Sequence, residues 1–196
     1  MAFAKIKNGN PFRKMFGILP AIAAALLISA VHPLPAQQVT PQKTSFSAGF
    51  GVLLYQSGFG LENSSGVEVA VGRSIREQLA IDAGFRLGLS PILPDIFLRL
   101  MVTQQFGAWK PSVGIENGYS NRAFFEGDSD LLKETRDAMT DDMGHWYISS
   151  HIEPLCFGLK HHWDISIAEM DIGTHYKNMG STMRLNVNLL KVRKSL

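Results

Sequence analysis

The stretch GVEVAVGRSIREQLAIDAGFRLGL, residues 66–89, decides the fold. Val67, Val69 and Val71 alternate with Glu68, Ala70 and Gly72. After Arg76-Glu77-Gln78 the pattern resumes, with Ile81, Ala83, Phe85 and Leu87 set against Asp82, Gly84, Arg86 and Gly88. Successive side chains of a strand point to opposite faces, so each run has one apolar and one polar face. Each is also close to the roughly 9–11 residues that carry a tilted strand across a bilayer. Two such runs joined by three polar residues read as a hairpin.

The same alternation recurs on both sides of this hairpin. Upstream, Thr44 to Tyr55 sets Phe46, Ala48, Phe50, Val52 and Leu54 against Ser45, Ser47, Gly49 and Gly51. Downstream come Asp95 to Phe106, Trp109 to Phe125, His145 to Leu159, His162 to Lys177 and Ser181 to Val192. In the run from His162 the apolar parity switches between Ile167 and Met170, which predicts a bulge. The last run places Met183, Leu185, Val187 and Leu189 opposite Arg184, Asn186 and Asn188. Together these are eight strands, the even number a closed bacterial barrel requires.

Connection lengths point the same way. Strands two and three, four and five, and six and seven join through two or three residues, whereas Gln56 to Ser65 and Glu126 to Gly144 are long. Short turns on the periplasmic side and long loops outside are the barrel convention. Aromatic residues fall into two groups. Phe106, Trp109, Phe157 and Trp163 lie beside short turns; Phe59, Phe124, Phe125, Trp146, Tyr147 and Tyr176 lie beside the long loops. This predicts girdles at two membrane interfaces.

The N-terminus supplies a route out of the cytoplasm. Gly17 to Val31 is apolar, follows Lys5, Lys7, Arg13 and Lys14, and precedes Pro33, Pro35 and Ala36. That is the layout of a secretory signal peptide, read as residues 1–36 with cleavage after Ala36. A polar periplasmic lead-in spans 37–43 and the barrel domain 44–196. Cleavage leaves 15 basic against 17 acidic side chains, so the basicity of the whole chain belongs to the signal. With no basic stripe left, nucleic acid is not an expected partner. Cys156 is the lone cysteine, so no internal disulfide forms.

The chain from Thr44 to Leu196 resembles the small eight-stranded outer-membrane barrel proteins of Gram-negative bacteria in pattern, without a diagnostic motif. The resemblance implies an all-β, antiparallel up-and-down transmembrane barrel with a filled polar interior. It also implies residence in the outer membrane, contact with its lipid and lipopolysaccharide, delivery by the assembly machinery and a monomeric state. No cofactor or metal is expected. The chain departs from that group at its end, where Lys191-Val192-Arg193-Lys194-Ser195-Leu196 stands in place of a strand-final aromatic.

Two constellations are candidates for chemistry. A charge at mid-depth on the lipid face costs about 2–4 kcal/mol, so charged residues within strands turn inward. A turn centred on Glu77 sets Glu68 opposite Arg86, and one centred between Gly107 and Ala108 sets Arg99 opposite Glu116. Four adjacent strands then present acid, base, base and acid at one level, expected to act as a polar plug in a barrel this narrow. An ion path is the alternative.

The second constellation is Ser149, His151 and Glu153, on one face of strand six, the residue types of a nucleophile, base and orienting acid. Some outer-membrane lipid A deacylases, which the chain resembles loosely here, use Ser, His and Glu on a barrel wall. Their His precedes Ser and their Glu sits on a neighbouring strand. Alternate residues lie about 7 Å apart along a strand, which is long for direct Ser-to-His hydrogen bonding. Lys160-His161-His162 and the His175/Asp171 pair are weaker still as metal sites, since adjacent histidines point to opposite sides. The acidic loop from Glu126, with a net charge of −5, reads as a solvated outer loop bridged to lipopolysaccharide by divalent cations, with a short helix at Leu131 to Met139. The primary expectation is a structural or surface-interaction role without catalysis. A lipid-modifying hydrolase and a narrow ion channel are the alternatives, and a periplasmic β-sandwich would alternate too.

Overall fold

The computed structural model describes residues 43–57, 60–89, 92–120, 134 and 144–196. The signal peptide, most of the lead-in, the acidic loop and Phe59, Phe124 and Phe125 lie outside the described residues. Nine strand segments follow one another: β1 (Thr44–Ser57), β2 (Gly60–Ser74), β3 (Leu79–Leu89), β4 (Ile92–Thr103), β5 (Ser112–Ser120), β6 (Trp146–Glu153), β7 (Leu155–Gly158), β8 (Trp163–His175) and β9 (Met183–Ser195). Every pairing is antiparallel. Strand β9 pairs with β1 and β6 pairs with β8, so the sheet closes on itself. Among the described residues no helix is long and apolar enough to cross a membrane.

Segments β6 and β7 form a single stave of an eight-stave barrel, because both pair with β8. The break falls at Pro154, which has no N–H to give to a ladder. The Pro154 carbonyl instead accepts a hydrogen bond from the Trp109 indole at 2.8 Å.

Closure sorts the alternating faces. Val67, Val69, Val71, Phe85, Ile96, Leu98, Leu100 and Ile115 are exposed on the outside, while their polar alternates are buried within. A sheet packed face to face against a second sheet would bury those apolar side chains between the two layers. Here they form a continuous outer belt, so the sandwich alternative is set aside.

The strand limits differ from those expected at several ends. Strand β2 begins at Gly60, β4 at Ile92, and β9 runs on to Ser195, past the predicted stop at Val192. The extension of β9 follows from a bulge. Phe50 pairs with Leu190 and Gly51 with Asn188, leaving Leu189 as the extra residue. Leu189 and Leu190 are therefore both exposed, and the inward parity passes from Arg184, Asn186 and Asn188 to Lys191. A matching irregularity lies on β8, where Ile167 pairs with Leu190 and Glu169 with Asn188. The register is unchanged across this point, so Ala168 stands opposite Leu189 outside the ladder, held at a left-handed φ of 60°. The predicted parity switch thus falls at Ala168, and it turns Glu169 and Asp171 into the barrel.

Candidate functional site: a cross-barrel ion network

The interior is built from the polar alternates of all eight staves. Register sets Glu68 opposite Arg86 and Arg99 opposite Glu116. Between β3 and β4, however, Arg86 lies opposite Asp95 and Arg99 opposite Asp82, so the four charges do not share one row of the ladder. They converge because closing a barrel forces its strands to tilt and stagger. Arg86 reaches Glu68 at 2.6 Å and Glu116 at 3.1 Å, while Arg99 reaches Glu116 at 2.6 Å and Glu68 at 3.5 Å. The Phe97 ring fills the space between the two guanidiniums, 4.7 Å from each.

The network extends well beyond those four residues. Arg86 also meets Asp171 at 3.0 Å, and Arg99 meets Glu169 at 3.1 Å and Asp171 at 3.3 Å. Lys191 lies 2.9 Å from both Glu68 and Glu169. Toward the long loops, Arg184 donates to Asp95, which also accepts from the Tyr55 hydroxyl at 2.9 Å. Arg184 stacks over the Tyr147 ring, 3.8 Å from its centroid, and the Tyr147 hydroxyl donates to Glu116 at 3.1 Å. Asn186 and Asn188 donate their amides to Asp171 and Glu68. Toward the short turns, Arg193 approaches Asp82 at 3.5 Å and Glu153 at 3.7 Å.

Two of these pairs join staves on opposite sides of the barrel: Arg86 on β3 with Asp171 on β8, and Arg184 on β9 with Asp95 on β4. The ion pairs thus cross the axis, and the central charged groups are at most 1% exposed. Glycines make room for the thickest pieces. A Cβ at Gly84 would run into the Phe97 ring, and one at Gly118 into the Tyr147 hydroxyl.

The structure does not assemble Ser149, His151 and Glu153 as a unit. His151 donates from Nδ1 to Asp171 at 2.7 Å, its register partner on β8. Glu153 instead accepts from Ser112 at 2.6 Å, and the Ser149 hydroxyl has no hydrogen-bond partner. All three residues are enclosed, with Ser149 2%, His151 1% and Glu153 1% exposed. The reason is the pleat itself, which spaces residues of one face too widely for a relay along a strand.

His151, Glu169 and Asp171 do bring ligand-type atoms within 4.8 Å of one another. Lys191 and Arg99 already neutralise those carboxylates, so the set fits an internal ion pair and not a cation cage. His175 is buried beside Tyr55 and Tyr147, its ring centroid 6.0 Å from each. His161 and His162 sit exposed at the turn between β7 and β8.

The sequence reading missed Asp95, Glu169, Asp171, Arg184 and Lys191 as members of the network. Arg184 and Asp95 share inward parity with residues already assigned inside. Lys191 follows the bulge at Leu189, and Glu169 follows the left-handed Ala168, and each of these shifts that parity. Tyr147 departs from the expected outer girdle: it shares parity with Ser149 and His151 and is completely buried. Trp146 and Tyr176 do lie exposed at the loop end, as Phe106, Trp109, Phe157 and Trp163 do at the turn end.

Comparison with solved structures supports this fold. Neisserial surface protein A (NspA) superposes with a TM-score of 0.55 at 11% identity, covering 82% of this chain and all of that one. Ail, the attachment invasion locus protein of Yersinia pestis solved with the heparin analogue sucrose octasulfate, gives 0.42 at 10% identity, covering 80% of this chain and all of Ail. No protein-family model and no curated protein matches the sequence. At this level of identity the likeness to NspA is one of fold: the chain has the closed eight-stranded architecture of the small outer-membrane barrels.

Proposed function

We propose that the protein is an integral outer-membrane barrel whose interior is a structural plug and whose contacts with other molecules are made at its rims and loops. The observation that carries this is the inversion of polarity: an apolar belt outside a closed wall, and charged groups bridged across the axis inside. A filled interior supports a structural or surface-interaction role over conduction, because the ion pairs occupy the cross-section that a pore would need. NspA, which shares the fold, is named a surface protein. That setting fits a chain whose longest connection is its most acidic segment.

A hydrolase reading gains less support. Ser149 and His151 face the sealed interior, where a lipid substrate has no approach. The test is fractionation of cells expressing the full chain, with unboiled samples on gels and purified protein in planar bilayers. The expected result is recovery with outer membranes, a heat-dependent gel shift and no steady conductance. Recovery from the periplasm without detergent would overturn the placement, and reproducible unitary currents would overturn the plug.

A further inference from the structure

The outer wall is not uniform. At the short-turn end of β1, β2 and β3 the belt is indented, because Ala48 and Ala83 stand where neighbouring positions carry Phe46 and Phe85. The resulting groove has a volume of about 840 Å³, within the ~300–1,000 Å³ typical of clefts that hold small molecules. Its lining is overwhelmingly apolar except at one end. There Lys194 pairs with Phe46 on one side and Trp163 on the other. The Lys194 ammonium donates to the His161 carbonyl at 2.6 Å and lies 4.9 Å from the Trp163 ring centroid. It is thereby held at the interface instead of extending into solvent. One position beyond Val71 on the same outward face is Arg73, exposed and opposite Thr44. The adjoining turn carries one further basic and one acidic residue, Arg76 and Glu77, both exposed.

We infer that this groove is a binding site for an anionic glycerophospholipid, with an acyl chain along Ala48 and Ala83 and the phosphate held between Lys194 and Arg73. The inference rests on the membrane placement proposed above. Apolar lining alone would fit any annular lipid; Lys194 in the lining and Arg73 one step beyond it on the same face select the charge of the headgroup. The short turns mark the periplasmic side, so the occupant comes from the phospholipid leaflet and not from lipopolysaccharide.

The test uses full-length mature protein carrying Trp109→Phe and Trp146→Phe, so that Trp163 alone reports. It is inserted into phosphatidylcholine vesicles containing equal fractions of either dibrominated phosphatidylglycerol or dibrominated phosphatidylcholine. Trp163 quenching should favour the anionic lipid by about fivefold in relative affinity for each cation at the mouth, and 0.5 M salt should remove the preference. Lys194→Gln with Arg73→Gln should bring the ratio to one while the gel shift of the folded barrel is retained. Ala83→Leu, which fills the groove and leaves both cations, should also reduce it. Equal quenching by the two lipids in the inserted parent protein would overturn the site. So would a preference that survives both sets of substitutions, or a dimer that covers Trp163 from both lipids. Failure to insert at all would overturn the membrane placement instead.

Discussion

Arg99 touches four carboxylates, those of Glu68, Glu116, Glu169 and Asp171, and is completely buried. Removing a partner from a buried ion network leaves uncompensated charge, so Arg99→Ala should cost about 3–5 kcal/mol. The check is the denaturant midpoint of the folded band on unboiled gels. Ser149→Ala makes the opposite case: its hydroxyl is buried without a hydrogen-bond partner, and stability should stay within about 0.5 kcal/mol in the same assay. If the protein had hydrolytic activity dependent on Ser149, labelled lipopolysaccharide would be turned over by the parent and not by this variant; neither is expected to act. Turn arithmetic on the sequence located Glu68, Arg86, Arg99 and Glu116 opposite one another, since a short turn fixes the register of a hairpin. It gave no account of contacts across the axis, because those depend on how far the strands tilt when the wall closes.

Strands β8 and β9 show where alternation stops being a sufficient guide. The parity switch near Ile167 was visible as a change in which positions are apolar. The switch at Leu189 was hidden, because a Leu-Leu pair followed by Lys191 reads equally well as the frayed end of a strand. The bulge resolves the ambiguity by placing both leucines outside and Lys191 within reach of Glu68 and Glu169. Inserting one alanine between Leu190 and Lys191 would shift the parity beyond the bulge by one and turn Lys191 toward lipid, at about 2–4 kcal/mol if it lies near mid-depth. The expected outcome is loss of the heat-modifiable form after refolding into vesicles. At the facing irregularity on β8, Ala168 adopts a left-handed backbone that costs a residue with a Cβ about 1–2 kcal/mol. Ala168→Gly should therefore raise the unfolding midpoint or leave it level after the entropic cost of glycine.

For the molecule as a whole, the belt and the plug are complementary demands on one chain. Leu98 is 55% exposed on the outer face of β4, between the inward-facing Phe97 and Arg99. Leu98→Lys should lower folding stability in vesicles by about 2–4 kcal/mol, read as the folded fraction across a urea series. The architecture was legible because period-two alternation, strand length and alternating connection lengths are each set by the bilayer. Tyr147 was not, because proximity to a rim and parity along the strand gave opposite answers, and parity governs which way a side chain points.

The diametric pairs also bear on assembly. Arg86 meets Asp171 only when β3 and β8 have taken their final places, and Arg184 meets Asp95 only when the last strand has arrived. A half-inserted hairpin would hold these groups in hydrocarbon with no counter-ion. Insertion one strand at a time is thereby penalised, and the chain is driven to curl in the headgroup zone, neutralise itself, and cross the bilayer as a finished cylinder.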